Sequence, residues 1–138
     1  MAVLIVFQVL ALLIAAVLAV GIGRAGWIKT FTPIVQLAGS GLVWAKDIPA
    51  WSVRAIGVVE LVAAAVILAA PVLIVIQGPS QLVAGVGAGA ALGVAALMAA
   101  AHLFHRSRGE AELTWKTNLA FGALAVMAAA TVFISGWS

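Results

Sequence analysis

Four long apolar runs, separated by three polar breaks, make up almost the whole chain. They cover residues of about 2–26, 52–76, 81–104 and 117–134. Each is close to the ~20 residues that carry a helix across a bilayer core. The pattern predicts an all-α, polytopic membrane four-helix bundle, with residues 1–138 forming a single integral membrane domain. No basic segment precedes the first run, so it is expected to remain as a spanning helix and not to be cleaved as a signal peptide. Gln77-Gly78-Pro79-Ser80 supplies a tight turn and a helix start between the second and third spans, which makes them antiparallel neighbours.

The first break is longer, running from Thr30 to Trp51. It holds Pro33, Gly39-Ser40-Gly41 and Pro49, but also Ile34, Val35, Leu37, Leu42, Val43 and Trp44. A segment this apolar does not float in water. The expected arrangement is a short amphipathic interfacial helix over about Pro33 to Ala38 and a second piece lying on the bilayer surface; a re-entrant loop is the alternative.

Composition sharpens this picture mainly by exclusion. With 66% hydrophobic and 8% charged residues and a mean hydropathy of +1.28, a chain this short cannot form a soluble domain with a polar surface. Cysteine is absent, which removes disulfides, thiolate nucleophiles and thiol-ligated iron–sulfur clusters. The seven bases explain the high pI without nucleic acid. Arg24, Lys29, Lys46 and Arg54 flank the first connection, and Arg106, Arg108 and Lys116 occupy the third. By the positive-inside rule these connections face the cytoplasm, leaving both termini on the outer side. Trp27, Trp44, Trp51 and Trp115 gather at the same boundary and Trp137 marks the other, as an interfacial belt would.

Glu60 stands out among the four acids, because it interrupts an apolar helix where an unpaired charge is costly. At ~1.5 Å per residue it lies about 9 to 13 Å beyond the helix start, so only residues near the same edge can reach it. Lys29 is the first choice of partner, with His102 also at a suitable level and Arg24 a further possibility. The expected buried polar cluster is Lys29, Glu60 and His102. It acts either as a satisfied tie that sets helix register or as a proton relay or hydrogen-bonding site for a quinone or lipid headgroup.

Other motifs carry less chemistry. His102 and His105, with Glu110 and Glu112 beyond, lack a third ligand at a fixed spacing, so no metal site is expected. Gly21-Ile22-Gly23-Arg24-Ala25-Gly26 spells a dinucleotide fingerprint but ends an apolar helix instead of following a strand; it suits close helix contact or a bend. Gly85, Gly89 and Gly93 recur every four residues, and Gly87, Ala91, Ala95 and Ala99 line a second small face. Such faces let helix backbones approach closely, within the bundle or against another subunit.

Ala25-Gly26-Trp27-Ile28-Lys29, Ile48-Pro49-Ala50-Trp51 leading into Ile56-Gly57-Val58-Val59-Glu60-Leu61, Pro71, Ala101-His102-Leu103 and Arg108-Gly109-Glu110 together resemble the DoxX-like family of small four-helix bacterial membrane proteins. Lys29, Glu60 and His102 are the matching polar positions, and the longer first connection departs from the family pattern. The resemblance implies a bacterial inner-membrane location. It leaves two functional expectations: a non-enzymatic accessory or assembly subunit of a larger transporter, respiratory or detoxifying complex, with other integral membrane subunits and lipids as partners and no cofactor; or a quinone-linked oxidoreductase subunit using the Lys/Glu/His site.

Overall fold

The computed structural model describes residues 2–137 and contains no strand among them. Helix α1 spans Ala2–Phe31, α2 Ile34–Gly39, α3 Ala50–Gln77, α4 Gln81–Ser107 and α5 Ala111–Trp137, with a short 3-10 turn at Val43–Lys46 between α2 and α3. Four of these helices are long and apolar enough to cross a membrane, so the chain is a multi-pass membrane protein. α1 packs chiefly on α3 and α4 chiefly on α5. Contacts of α3 with α4 and of α1 with α5 close the ring.

Local chemistry explains the joints. Pro49 caps the start of α3 with φ −56°, the value its ring imposes. Gly78 ends that helix at φ +93°, a backbone that disfavours a side chain, while its N–H still bonds the Ile74 carbonyl at 3.0 Å. Ser80 then caps α4, its hydroxyl accepting from the Val83 N–H at 3.4 Å. The connection of α1 to α3 forms the expected interfacial helix and surface piece. Leu37, Trp44, Ala45 and Val53 bury there as a small core of their own.

Two boundaries differ from the hydropathy reading. α1 continues through the glycine-rich string to Phe31, because Gly26 and its neighbours are held by tertiary contact and no bend is needed. α5 starts at Ala111, six residues before the expected Thr117. Its first turns are polar, with Glu112, Thr114 and Lys116, so hydropathy undercounts a helix that extends beyond the bilayer core.

The core is built of small residues. Ala15, Ala70, Ala84, Ala88, Ala91, Ala125, Ala128 and Ala129 are buried with Leu18, Ile22, Ile67, Ile74, Val94, Met98 and Val132. Larger side chains such as Leu13, Val20, Leu82, Leu103 and Leu119 point outward. This inversion suits a bundle in lipid, where close backbone packing and not burial of apolar area holds helices together. On α4 the packed face is Ala84, Gly87, Ala88, Ala91, Val94 and Met98. Gly85, Gly89 and Gly93 are exposed, and a Cβ added at any of them would meet nothing within 4 Å. The idea that this stripe packs inside the bundle is therefore corrected: two small-residue faces compete for the interior, and the one through Gly87 and Ala91 occupies it.

Candidate functional site: a cavity at the charged end of the bundle

The site begins where α1 and α3 cross. A Cβ on Gly26 would lie 2.7 Å from the Gly57 carbonyl oxygen and 2.9 Å from the Glu60 Cβ, and one on Gly57 would lie 2.8 Å from the Gly26 carbonyl oxygen. Only glycine permits this approach from both sides. Lys29 lies three residues past Gly26 toward the connection, and Glu60 three residues past Gly57 away from it. Side chains lean toward the N-terminus of their own helix, so in this antiparallel pair Lys29 leans inward and Glu60 outward. They meet: Lys29 Nζ donates to Glu60 Oε1 at 2.5 Å, with side-chain exposures of 14% and 2%.

Arg54, one turn earlier on α3, donates through Nη1 to the Lys29 carbonyl at 2.5 Å and the Thr32 carbonyl at 2.7 Å. A cation placed on the unpaired carbonyls at a helix C-terminus satisfies both their hydrogen bonds and their partial charge. It also fixes the backbone from which Lys29 projects. The sequence reading used Arg54 only for orientation.

Beside the pair lies a cavity of about 440 Å³, a size at which small-molecule sites are found. Lys29 and Glu60 line it together with Trp44 and Ile48 from the first connection, Met98, Ala101 and His105 from α4, and Thr114, Asn118 and Phe121 from α5. Among the described residues, the buried side-chain polar atoms that meet no partner within the protein are Glu60 Oε2, Trp44 Nε1, Thr114 Oγ1 and Asn118 Nδ2. All four belong to residues that line this one cavity. Unpaired buried polar groups cost roughly 1–3 kcal/mol each, and these four atoms are themselves buried, so the polar cost is concentrated in the wall of the cavity.

His102 is not part of this cluster. It faces a separate groove between α4 and α5, with Trp115, Asn118 and Leu119, and the α4 histidine at the cavity is His105. A separation of three residues turns a helix position by about 60°, enough to move one imidazole to the outer groove while the other looks inward. Arg24 is exposed and has no part in the pair either. Among the described residues, no group of three or more His, Cys, Asp or Glu side chains could hold a metal ion.

The rim of the cavity is tied by charge. Arg108 donates through Nη2 to Asp47 Oδ2 at 2.6 Å and through Nε to Glu110 Oε1 at 3.0 Å, and His105 Nδ1 lies 2.9 Å from Glu110 Oε2. Trp44 packs edge-on against Phe104 and His105, with ring centroids 5.9 and 6.4 Å apart. The first connection is thus joined across the cavity mouth to the end of α4. Hydrogen bonding to His105, aided by Arg108, holds the Glu110 carboxyl below its ordinary value, and hydrogen bonds to Asp47 and Glu110 raise the Arg108 guanidinium further.

Trp44, His105, Thr114 and Asn118 were not singled out as site residues from the sequence. Asn118 could have been: it is a polar side chain in an apolar run, the same signal that identified Glu60. Trp44 gave no such signal, because an interfacial tryptophan has an ordinary explanation.

Comparison with known proteins gives no match: no family model matches the chain, and no curated protein or solved structure matches it at a significant level.

Proposed function

We propose that this protein binds, at one edge of the membrane, a small and largely apolar molecule whose polar headgroup enters the cavity beside Lys29 and Glu60. A quinone-type headgroup is the class that fits best, being flat, uncharged and lipid-soluble. The observation that carries this reading is a cavity of about 440 Å³, walled mostly by apolar side chains, that has the Lys29–Glu60 pair in its lining. The Lys29–Glu60 pair brings no net charge, which favours a neutral ligand over a lipid phosphate or a fatty-acid carboxylate. With the base-rich connections on the cytoplasmic side of a bacterial inner membrane, the cavity would lie at the cytoplasmic edge and both termini outside.

A photoreactive quinone with a short alkyl tail, irradiated with the purified protein in detergent, tests the reading. Adducts are expected on residues such as Met98 and Trp44. Adducts confined to the outward-facing leucines and valines, as general lipophilic contact would give, overturn it.

A second reading is favoured by a different observation. Gly85, Gly89 and Gly93 present an open small-residue stripe of the kind that admits a neighbouring helix, consistent with an accessory or assembly subunit of a larger membrane complex. The two readings are compatible. Gentle purification of a tagged chain at native expression distinguishes them: recovery as a lone chain that still binds quinone leaves only the first.

A further inference from the structure

We infer that the groove between α4 and α5 holds one acyl chain of an anionic phospholipid, with the lipid phosphate at the base-rich end of the two helices. The groove, of about 460 Å³, is a different space from the cavity beside Lys29 and Glu60, although Met98 and Asn118 belong to both linings. Its walls include Ala95, Ala99 and His102 from α4 and Leu119, Gly122 and Ala123 from α5. Ala95, Ala99 and His102 follow one another at helical spacings, so they share one face of α4. Opposite them, Gly122 and Ala123 carry too little side chain to fill the space between the helices. The trough is therefore apolar along most of its length and suits a run of methylene groups.

Charge at one end decides which lipid fits. His102 and Trp115 line the groove close to the turn that joins the two helices. The Lys116 ammonium lies 5.7 Å from the centroid of the Trp115 ring, which places a cation beside the groove mouth. Arg106 is exposed and stands one turn past His102 on the same face of α4. Among the described residues neither Arg106 nor Lys116 forms an ion pair, whereas Arg108 is held by Asp47 and Glu110 and Lys29 by Glu60. Glu112, an exposed acid one turn before Lys116, offsets part of this charge, and two bases against one acid leave the mouth positive. A tryptophan beside a lysine at a helix end is also the pairing expected at headgroup depth. Each such base favours an anionic headgroup by about fivefold, an advantage that a zwitterionic lipid lacks because its own cation balances its phosphate.

The test uses phosphatidylglycerol carrying a diazirine near the end of one acyl chain, present in trace amount in phosphatidylcholine vesicles that contain the protein. After irradiation, adducts are mapped by peptide mass spectrometry. They are expected on the groove residues of α4 and α5, with unlabelled phosphatidylglycerol displacing the probe about tenfold more effectively than phosphatidylcholine, since two bases act and Glu112 opposes them. Arg106→Gln combined with Lys116→Gln should bring that preference close to one. Lys46→Gln, which removes an exposed base on the first connection, should leave it unchanged. Ala99→Leu with Ala123→Leu, both at exposed positions, should fill the trough and remove the groove adducts while the bases remain. Equal displacement by the two lipids, or an equal loss of preference in Lys46→Gln, means ordinary lipid contact or general surface charge and overturns the inference. Groove adducts replaced by cross-links to a second copy of the chain overturn it as well. None of these outcomes bears on the quinone cavity, which is tested separately.

Discussion

The two ends of the bundle solve the packing problem in opposite ways. At the end holding the α3–α4 turn, helices touch through glycine and alanine: Gly87 fits against Ala70 and Val132, and Gly136 against Ala84 and the Ser80 carbonyl. Ser135, the buried polar residue there, bonds its hydroxyl to the Thr131 carbonyl at 2.7 Å, so nothing polar is left over. At the other end α1 and α3 are still drawn together through Gly26 and Gly57, but α4 and α5 stand away from them. Trp44, Met98 and Phe121 border the resulting space, and residues with unpaired buried polar atoms form part of its wall. A bundle that closes so fully at one end has the means to close at the other. The contrast sets an end packed through small residues against an end that keeps a cavity beside a buried ion pair.

The largest effect expected is from splitting the ion pair. Lys29→Met leaves the Glu60 carboxylate 2% exposed and without its base, and breaking a buried pair from one side costs about 3–5 kcal/mol. Glu60→Ala is expected to cost less than that, because the freed Lys29 can straighten toward the interface. The double change Lys29→Met, Glu60→Leu should recover most of the loss in each. Folded fraction in mixed-detergent titrations checks the order; equal destabilisation by all three variants would mean that the two residues do not act as a pair.

At the closed end, Gly87→Val forces a side chain into a space already held by Ala70, and overpacking of this kind costs about 1–3 kcal/mol. Gly89→Val, two residues away, meets open space and should change the stability of the isolated chain by less than about 0.5 kcal/mol. If Gly89→Val instead weakens recovery of a co-purifying partner while leaving the lone chain intact, the outward stripe is an interface.

These paired variants also show what could be read from the chain before its structure. Span number, interfacial segment and the pairing of Lys29 with Glu60 were legible because each follows from the cost of a polar group in hydrocarbon. Which way a helix faces was not. Ordinary bundles advertise their inner face by hydrophobic periodicity, but here alanines make up much of the interior while many leucines and valines lie outside, so every face of α4 reads as apolar. That ambiguity alone misplaces both His102 and the Gly85 stripe. The cavity was illegible for a related reason: it is a property of where four helices fail to touch, and Trp44 shares a space with Thr114 and Asn118 of α5 only through that tertiary gap.

An intermediate effect is expected at Arg54. Arg54→Met removes the donor to the Lys29 and Thr32 carbonyls and should cost about 1–3 kcal/mol. Its diagnostic feature is location. Because the arginine holds the backbone beneath Lys29, the variant should weaken ligand binding as well as stability, whereas Gly87→Val should lower stability and leave affinity for the folded fraction unchanged. Equal effects of the two on affinity would erase the distinction between the ends.

The smallest effect concerns the rim. Glu110 is held below its ordinary ionisation range by His105 and Arg108, so its contribution to closing the cavity mouth is complete above the ordinary glutamate value of about 4.3. It is lost as the pH falls through the lowered value, when protonation releases Arg108 and His105. Asp47 on the connection pairs with the same guanidinium. Amide protection over residues 42–48, corrected for intrinsic exchange, should therefore stay flat near neutrality and drop in acid, while protection in the closed half persists. Arg108→Gln should reproduce the acid behaviour at neutral pH, and added salt should produce a weaker version, since these charges lie at the surface and are screened. Unchanged protection in Arg108→Gln would show that Trp44, packed on Phe104 and His105, holds the mouth without help from charge.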